Sequence, residues 1–275
     1  MPVPPAKTPE STAPDAEAPG QEQQSAVDAI AAVMHRAEYV VAMTGAGMSV
    51  ESGIPPFRGA DGLWTRYGTP PMDGFSQFRK DPTGWWNRRT NEKIDAHILE
   101  LRDALTKAKP HAGHFALAGM ERAGALKSVI TQNIDGLDEQ AGLENLIEIH
   151  GNRQKLRCLD CGRRESLGDI VPLFAPEPCD ECGGLVKFDT VMFGEPIPDD
   201  VMANARAEIG RADCVLAIGT SATVRPASGL LWIAKAAGAI IIEINPTETK
   251  LTPICEVSLR STAGRALPAL LDALK

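Results

Sequence analysis

The chain has no long hydrophobic run, few aromatic residues and no excess of positive charge. Its strongest apolar stretches, such as residues 239–244, are far too short to cross a bilayer, so no membrane partner is expected. Aromatic residues make up only 5% of the 275 positions, while the hydrophobic fraction is 43%. An aliphatic core in one large α/β domain, or two unequal ones, fits that length and composition. With 28 Lys+Arg against 36 Asp+Glu the formal net charge is −8, which argues against gripping nucleic acid through an overall field. Residues 1–24 carry six prolines and no aromatic residue, so a disordered tail is expected there. These residues also lack the basic start and apolar stretch of a signal peptide, and a cytoplasmic protein is expected. No internal repeat is evident.

Cysteine is sparse but patterned. Four of the six cysteines form two C-x2-C pairs, Cys158 with Cys161 and Cys179 with Cys182, separated by residues 162–178. This spacing suits a four-thiolate zinc site. Two disulfides are the alternative, which an exported protein would favour. Four sulfur ligands leave no open position for water, so the expected zinc is structural. Cys214 opens an apolar stretch and Cys255 has no evident partner.

The periodicity predicts a helix from Ser25, with a Ser25/Asp28 capping box and an apolar face of Val27, Ile30, Ala31 and Met34. Buried strands are predicted at Tyr39–Met43, Val129–Thr131, Val215–Ile218 and Ile240–Ile244, with helices at Gly113–Arg122, Pro198–Glu208, Pro226–Ala237 and Gly264–Leu274. This alternation predicts an α/β fold: a Rossmann-like, doubly wound parallel sheet, with a smaller zinc-binding domain formed by insertions. The sheet domain takes residues 25–54, 109–151 and 191–275. Residues 55–108 form a cofactor loop and an insertion that turns helical from about Gly84, and residues 152–190 form the zinc module. The groove between the lobes is the expected ligand site.

The first predicted strand runs into Gly45-Ala46-Gly47, a phosphate-loop hint. The dehydrogenase fingerprint needs a third glycine at position 50, where Val50 stands. The small residues let the backbone approach a pyrophosphate, and Arg58 offers a planar fork to phosphate oxygens.

Gly45-Ala46-Gly47-Met48-Ser49 through Ser52-Gly53-Ile54-Pro55-x-Phe57-Arg58 resembles the opening motif of the sirtuin family, in its bacterial-type form. Thr131-Gln132-Asn133-Ile134-Asp135, His150-Gly151, the four cysteines, Phe193-Gly194-Glu195, Gly219-Thr220-Ser221 and Asn245-Pro246 follow in the family's order, from about residue 26 to the C-terminus. The resemblance implies an NAD-dependent protein-lysine deacylase that acts on acylated lysine in protein or peptide substrates. It yields nicotinamide, O-acyl-ADP-ribose and free lysine. In that reaction the acyl amide oxygen attacks the ribose carbon as nicotinamide leaves. So weak a nucleophile needs positioning and a dry pocket. The resemblance implies that Gly45, Ala46, Gly47, Ser49 and Arg58 bind NAD and that Phe57 covers the reacting sugar face. Ile134 and Asp135 hold the carboxamide, Asn133 orders the ribose region and Gln132 meets the ribose. Gly219, Thr220 and Ser221 meet phosphates or ribose, Asn245 the adenosine ribose, and Ala263 the adenine. His150 is the expected general base. His35, His97, His111 and His114 are read as structural. Val191-Met192-Phe193-Gly194-Glu195 is expected to be extended, forming the acyl-lysine channel and the peptide-docking edge.

Two positions depart from the family's pattern. Phe188 stands where proline is common. Relatives that remove acidic acyl groups carry a Tyr-x-x-Arg pair, and the matching stretch here is Trp86-Asn87-Arg88-Arg89. Arg89 can still pair with a carboxylate, but Trp86 has no phenol hydroxyl. Deacetylation is therefore the default, with desuccinylation or demalonylation as an alternative. Mono-ADP-ribosyl transfer, a zinc-ribbon interaction module and hydride transfer are the rival functions. Oligomeric state is not legible in the sequence.

Overall fold

The structure is a computed structural model that describes residues 20–59, 62–90, 94–167 and 177–275. The chain runs through α1 (Gln21–Arg36), β1 (Val40–Thr44), α2 (Leu63–Tyr67), α3 (Gly74–Lys80), α4 (Pro82–Thr90), α5 (Ala96–Lys107), α6 (Ala112–Arg122), β2 (Ser128–Thr131), α7 (Leu137–Gln140) and β3 (Leu146–Glu148). It continues through β4 (Lys155–Cys158), β5 (Arg164–Ser166), β6 (Val186–Phe188), α8 (Asp199–Arg211), β7 (Cys214–Ile218), α9 (Gly229–Ala236), β8 (Ile240–Ile244), β9 (Val257–Leu259) and α10 (Ala263–Ala273). Among the described residues no helix is long and apolar enough to cross a membrane.

Six strands form one parallel sheet in the order β3-β2-β1-β7-β8-β9. Strand alternation divides its side chains between two cores. Val40, Ala42, Val129, Leu216 and Ile242 face α1, α6 and α10, while Val41, Met43, Ile130, Val215 and Ile241 face α8 and α9. Both faces are covered, which explains the unbroken apolar runs of the central strands. The order reverses direction at β1, whose neighbours are β2 and β7. Ligands of open α/β sheets bind at such a switch point, beyond the carboxyl ends of the strands.

Several expectations need correction. The first helix begins at Gln21, not Ser25, because Gly20 accepts from the Gln24 amide at 3.0 Å and Gln23 Nε2 reaches the Arg260 carbonyl at 3.0 Å. Residues 20–24 therefore leave the expected tail, and residues 1–19 lie outside the described residues. Asp28 accepts from the Gln24 side chain, so the Ser25/Asp28 capping box does not form. Tyr39 precedes its strand. Helical structure in 55–108 starts at Leu63, well before Gly84. Residues 226–228 form a turn ahead of α9. The edge strands β3 and β9 add to the four predicted. Residues 191–195 are not a strand: Phe193-Gly194 is a turn.

A three-stranded antiparallel sheet, order β5-β4-β6, carries the first cysteine pair. It packs on the insertion through a third core in which Phe78, Trp85 and Trp86 meet Leu156, Phe188 and Met192. The four cysteine sulfurs lie within 4.8 Å of one another, with Cys158–Cys182 at 3.5 Å and Cys161–Cys179 at 3.7 Å. Zn–S bonds of about 2.3 Å place sulfurs about 3.8 Å apart on a tetrahedron, whereas a disulfide needs about 2.05 Å. The residues fit zinc and not disulfides. Stripping the metal with a chelator is expected to lower Tm in a cooperative step, read by calorimetry with metal analysis. Verified metal-free protein with an unchanged Tm would contradict a structural ion.

Candidate active site

The parallel register brings the strand ends level: Thr44 pairs with Thr131 and Ile218, Thr131 with Glu148, and Ile218 with Ile244. The predicted residues that follow these ends, Gly45, Gln132, Gly219, Asn245 and His150, are thereby brought to one edge. Gly47 N donates to Gly219 O at 2.8 Å, and a Cβ on Gly47 would lie 2.7 Å from Gly219 Cα. The first demand for glycine is thus contact between two loops. Gly45 and Gly47 run into short 3₁₀ turns, at Ala46–Met48 and Val50–Ser52, and not into an α-helix. The helix-dipole phosphate site of dinucleotide-binding folds is therefore absent from this turn.

Polar side chains knit the edge together. Gln132 Nε2 donates to Thr44 O at 3.0 Å and to Thr220 Oγ1 at 2.9 Å. Asn133 Nδ2 donates to Gly45 O at 3.0 Å and to Ser49 Oγ at 3.1 Å. Ser49 Oγ donates to Asp135 Oδ2 at 2.7 Å. Burial raises the Asp135 carboxyl above its ordinary value, against the Leu137 amide, Ser49 and Arg153, which pull it down.

His150 follows β3 at its carboxyl end. Its Nδ1 lies 2.9 Å from the Gln132 carbonyl. A carbonyl only accepts, so Nδ1 carries the proton and Nε2 holds a lone pair. Nε2 has no hydrogen-bond partner among the described residues. Burial lowers the ring's pKa below its ordinary value, with the carbonyl opposing. His150 is therefore neutral at pH 7 and suited to take a proton at Nε2.

Phe57 and Arg58, in the loop ahead of α2, pack on Trp64, and Arg58 also reaches the loop after β7. Phe57 lies 5.2 Å from the Trp64 ring, Arg58 stacks 4.5 Å over that ring, and Arg58 Nη1 donates to Thr223 Oγ1 at 2.8 Å. Trp64 in turn lies 5.6 Å from Phe193. Ser221 meets Thr223 at 2.9 Å, and Ala222 adopts φ 51°, rare for a residue with a Cβ. Asn245 Nδ2 donates to Thr247 O at 2.7 Å. Ala263 is buried at the start of α10, where Glu51 accepts from Gly264 N at 2.6 Å and Thr262 Oγ1 at 2.9 Å. These loops were named from motifs, whereas Trp64, Glu51 and Ala222 had no motif to mark them.

His111 has a definite task. Its Nδ1 accepts from Gly113 N, so Nε2–H donates to the Met48 carbonyl at 2.6 Å and pins the glycine loop. His114 is buried beside it, and burial, with His111, pushes its pKa down to about 3.

Two residues, Glu195 and Trp86, are buried in place of lining the groove. Glu195 does not face the groove: its side chain is 2% exposed and pairs with Arg157 and with Lys187 at 3.1 Å. Burial lowers Lys187 to about 8, so it still carries charge at pH 7. Trp86 is 1% exposed and packs 4.6 Å from Phe188. The side chain of Arg89 lies outside the described residues. Val191 and Gly194 line the turn, and Ile134 O accepts from Arg153 N at 3.0 Å.

Asp138 is buried behind Asp135, and its Oδ1 has no partner among the described residues. Burial, then the Asp135 charge, pushes its carboxyl up to about 7. The unfolded carboxyl ionises at about 3.9. Stability from this group is full below that value and is lost as pH rises to about 7. Asp138→Asn is expected to exceed the wild type at pH 8 by at least about 1 kcal/mol in urea unfolding, with the gain absent at pH 4. A variant less stable at pH 8 would contradict the burial of an ionised Asp138.

The sequence profile of the Sir2 family matches residues 45–226. The chain is 44% identical over 234 residues to NAD-dependent protein deacylase 1 of Archaeoglobus fulgidus, covering 85% of this chain and 91% of the relative. It is 38% identical to an NAD-dependent protein deacetylase of Sulfurisphaera tokodaii, covering 90% and 96%. Among solved structures it resembles a Sir2 homolog–NAD complex with TM-score 0.75 and 41% identity, covering 90% of this chain and 93% of that one. A Sir2–p53 peptide–NAD+ complex gives TM-score 0.69 at 27% identity, covering 89% and 96%. With a profile match across the glycine loop, His150 and all four cysteines, and with such coverage, the chain belongs to the Sir2 family.

Proposed function

We propose that this protein is an NAD-dependent protein-lysine deacylase in which His150 is the general base. The observation that carries the residue assignment is the hydrogen bond from His150 Nδ1–H to the Gln132 carbonyl at 2.9 Å. It leaves Nε2 available at the strand edge where Gln132, Asn133, Asp135 and the glycine loop converge. The polar groups left at this edge suit a dinucleotide: the Ala46 amide, the Thr220 and Ser221 hydroxyls, the side-chain carbonyls of Gln132, Asn133 and Asn245, and the Arg58 guanidinium. When bound, NAD supplies an electrophilic ribose carbon. Asp135 and the Ile134 main chain hold the carboxamide, and Asn133 fixes the adjacent ribose. Phe57 excludes water from the sugar face. With NAD bound, His150 Nε2 would accept the proton of a ribose hydroxyl and so raise the nucleophilicity of that oxygen. Ala263 lies at the adenine end.

Residues 191–195 are the reading for the acyl-lysine channel. Val191 N donates to His150 O at 2.8 Å, which ties this turn directly to the base. The Val191 carbonyl and Gly194 amide take no partner among the described residues and are available to substrate main chain. Acylated lysine is uncharged, so apolar walls of Val191 and Phe193 accept it and disfavour free lysine. A cytoplasmic location fits four thiols held at metal-site and not disulfide separations.

Acetyl is the favoured acyl group. Trp86, at the place of the acid-binding tyrosine, is spent in packing against Phe188. An acetyl/succinyl ratio of kcat/KM above one on the same peptide is expected, and a succinyl preference beyond tenfold, about 1.4 kcal/mol, would reverse the assignment. Mass analysis of the reaction with NAD and an acetyl-lysine peptide is expected to show nicotinamide, O-acetyl-ADP-ribose and free lysine peptide. His150→Ala is expected to lower kcat by at least about 100-fold. ADP-ribose attached to protein as the main product would indicate transferase chemistry instead.

A further inference from the structure

Four charged side chains lie buried between the zinc sheet and the 188–195 segment. Arg157, on β4, donates through Nε to Asp189 Oδ1 at 2.6 Å and through Nη2 to Glu195 Oε1. Lys187, on β6, is 0% exposed and donates to Phe188 O at 2.8 Å and Thr190 O at 2.7 Å, with Glu195 Oε2 at 3.1 Å. Those three acceptors use all three ammonium protons. Glu195 Oε2 also accepts from Met192 N at 2.9 Å. Arg164 reaches Asp189 Oδ2 at 3.0 Å from the rim and Asp200 beyond it.

The pair thus grips main chain on both sides of Val191. The ammonium holds the carbonyls of residues 188 and 190, and the carboxylate holds the amide of 192. Val191 between them is bonded to His150 O, and Phe193 O accepts from Phe75 N at 3.0 Å. A buried ion pair with no solvent access and no unsatisfied proton is weak evidence for stability, but it fixes a unique backbone path.

We propose that Lys187, Glu195 and Arg157 are positioning residues that set the backbone of the acyl-lysine channel, coupling the zinc sheet to substrate binding. This rests on reading residues 191–195 as that channel. Removing one charge leaves its partner uncompensated, so the informative variant removes both. In the full-length, zinc-loaded protein, Lys187→Met/Glu195→Gln is expected to raise KM for an acetyl-lysine peptide about tenfold, with KM for NAD and zinc content unchanged. Loosening of the whole fold would move both KM values together and overturn the proposal. So would a folded double variant with unchanged peptide KM. If NAD KM rises alone, the segment is not the peptide site, and the underlying reading fails with the proposal. Should the double variant not fold, Arg157→Lys keeps the charge but loses the fork, and a peptide KM raised about threefold supports the proposal while no change overturns it.

Discussion

One hydrogen bond decides what this site can do: His150 Nδ1–H to the main-chain carbonyl of Gln132. It settles which nitrogen carries the proton and which holds the lone pair. It is possible only because β2 and β3 are parallel neighbours whose ends lie level, with Thr131 paired to Glu148. The same register places Asn133 and Asp135 beside the glycine loop. The chemistry is therefore a property of strand alignment before it is a property of any side chain.

Burial then tunes what alignment positions. Lower solvation keeps the imidazole neutral, raises Asp135 and holds Asp138 protonated to about pH 7. Each is a cost to folding, since desolvating a charge is unfavourable. The aliphatic cores on the two sheet faces offset such costs, with each buried Ile or Leu contributing roughly 1.5–3 kcal/mol. His111 and Glu51 extend the rigid frame, tying the glycine loop to α6 and α10.

Much of this was legible in the sequence, for physical reasons. The central strands are buried on both faces, so Val215–Ile218 and Ile240–Ile244 read as continuous apolar runs. The cysteine pairs announce themselves because metal geometry restricts spacing. Gly45, Gln132, Gly219 and Asn245 come to one edge because each directly follows a strand whose apolar run is visible in the sequence. What was not legible is nonlocal. The motif puts Glu195 at the substrate edge, but its partner Arg157 lies 38 residues away on another strand and leaves no periodic trace. The motif puts Trp86 at the place of an acid-binding tyrosine, and only the fold shows it packed against Phe188. The edge strands β3 and β9 span three residues each, too short for alternation to register. The early start of α1 depends on Gln23 reaching Arg260, a contact between opposite ends of the chain.

The central claim concerns the protonation of one ring, and nitrogen chemical shifts report it directly. In ¹⁵N-labelled protein at pH 7, His150 is expected to show a protonated Nδ1 and an unprotonated Nε2, with titration below its ordinary pKa. A ring protonated on Nε2 alone, or an imidazolium at pH 7, would contradict the account.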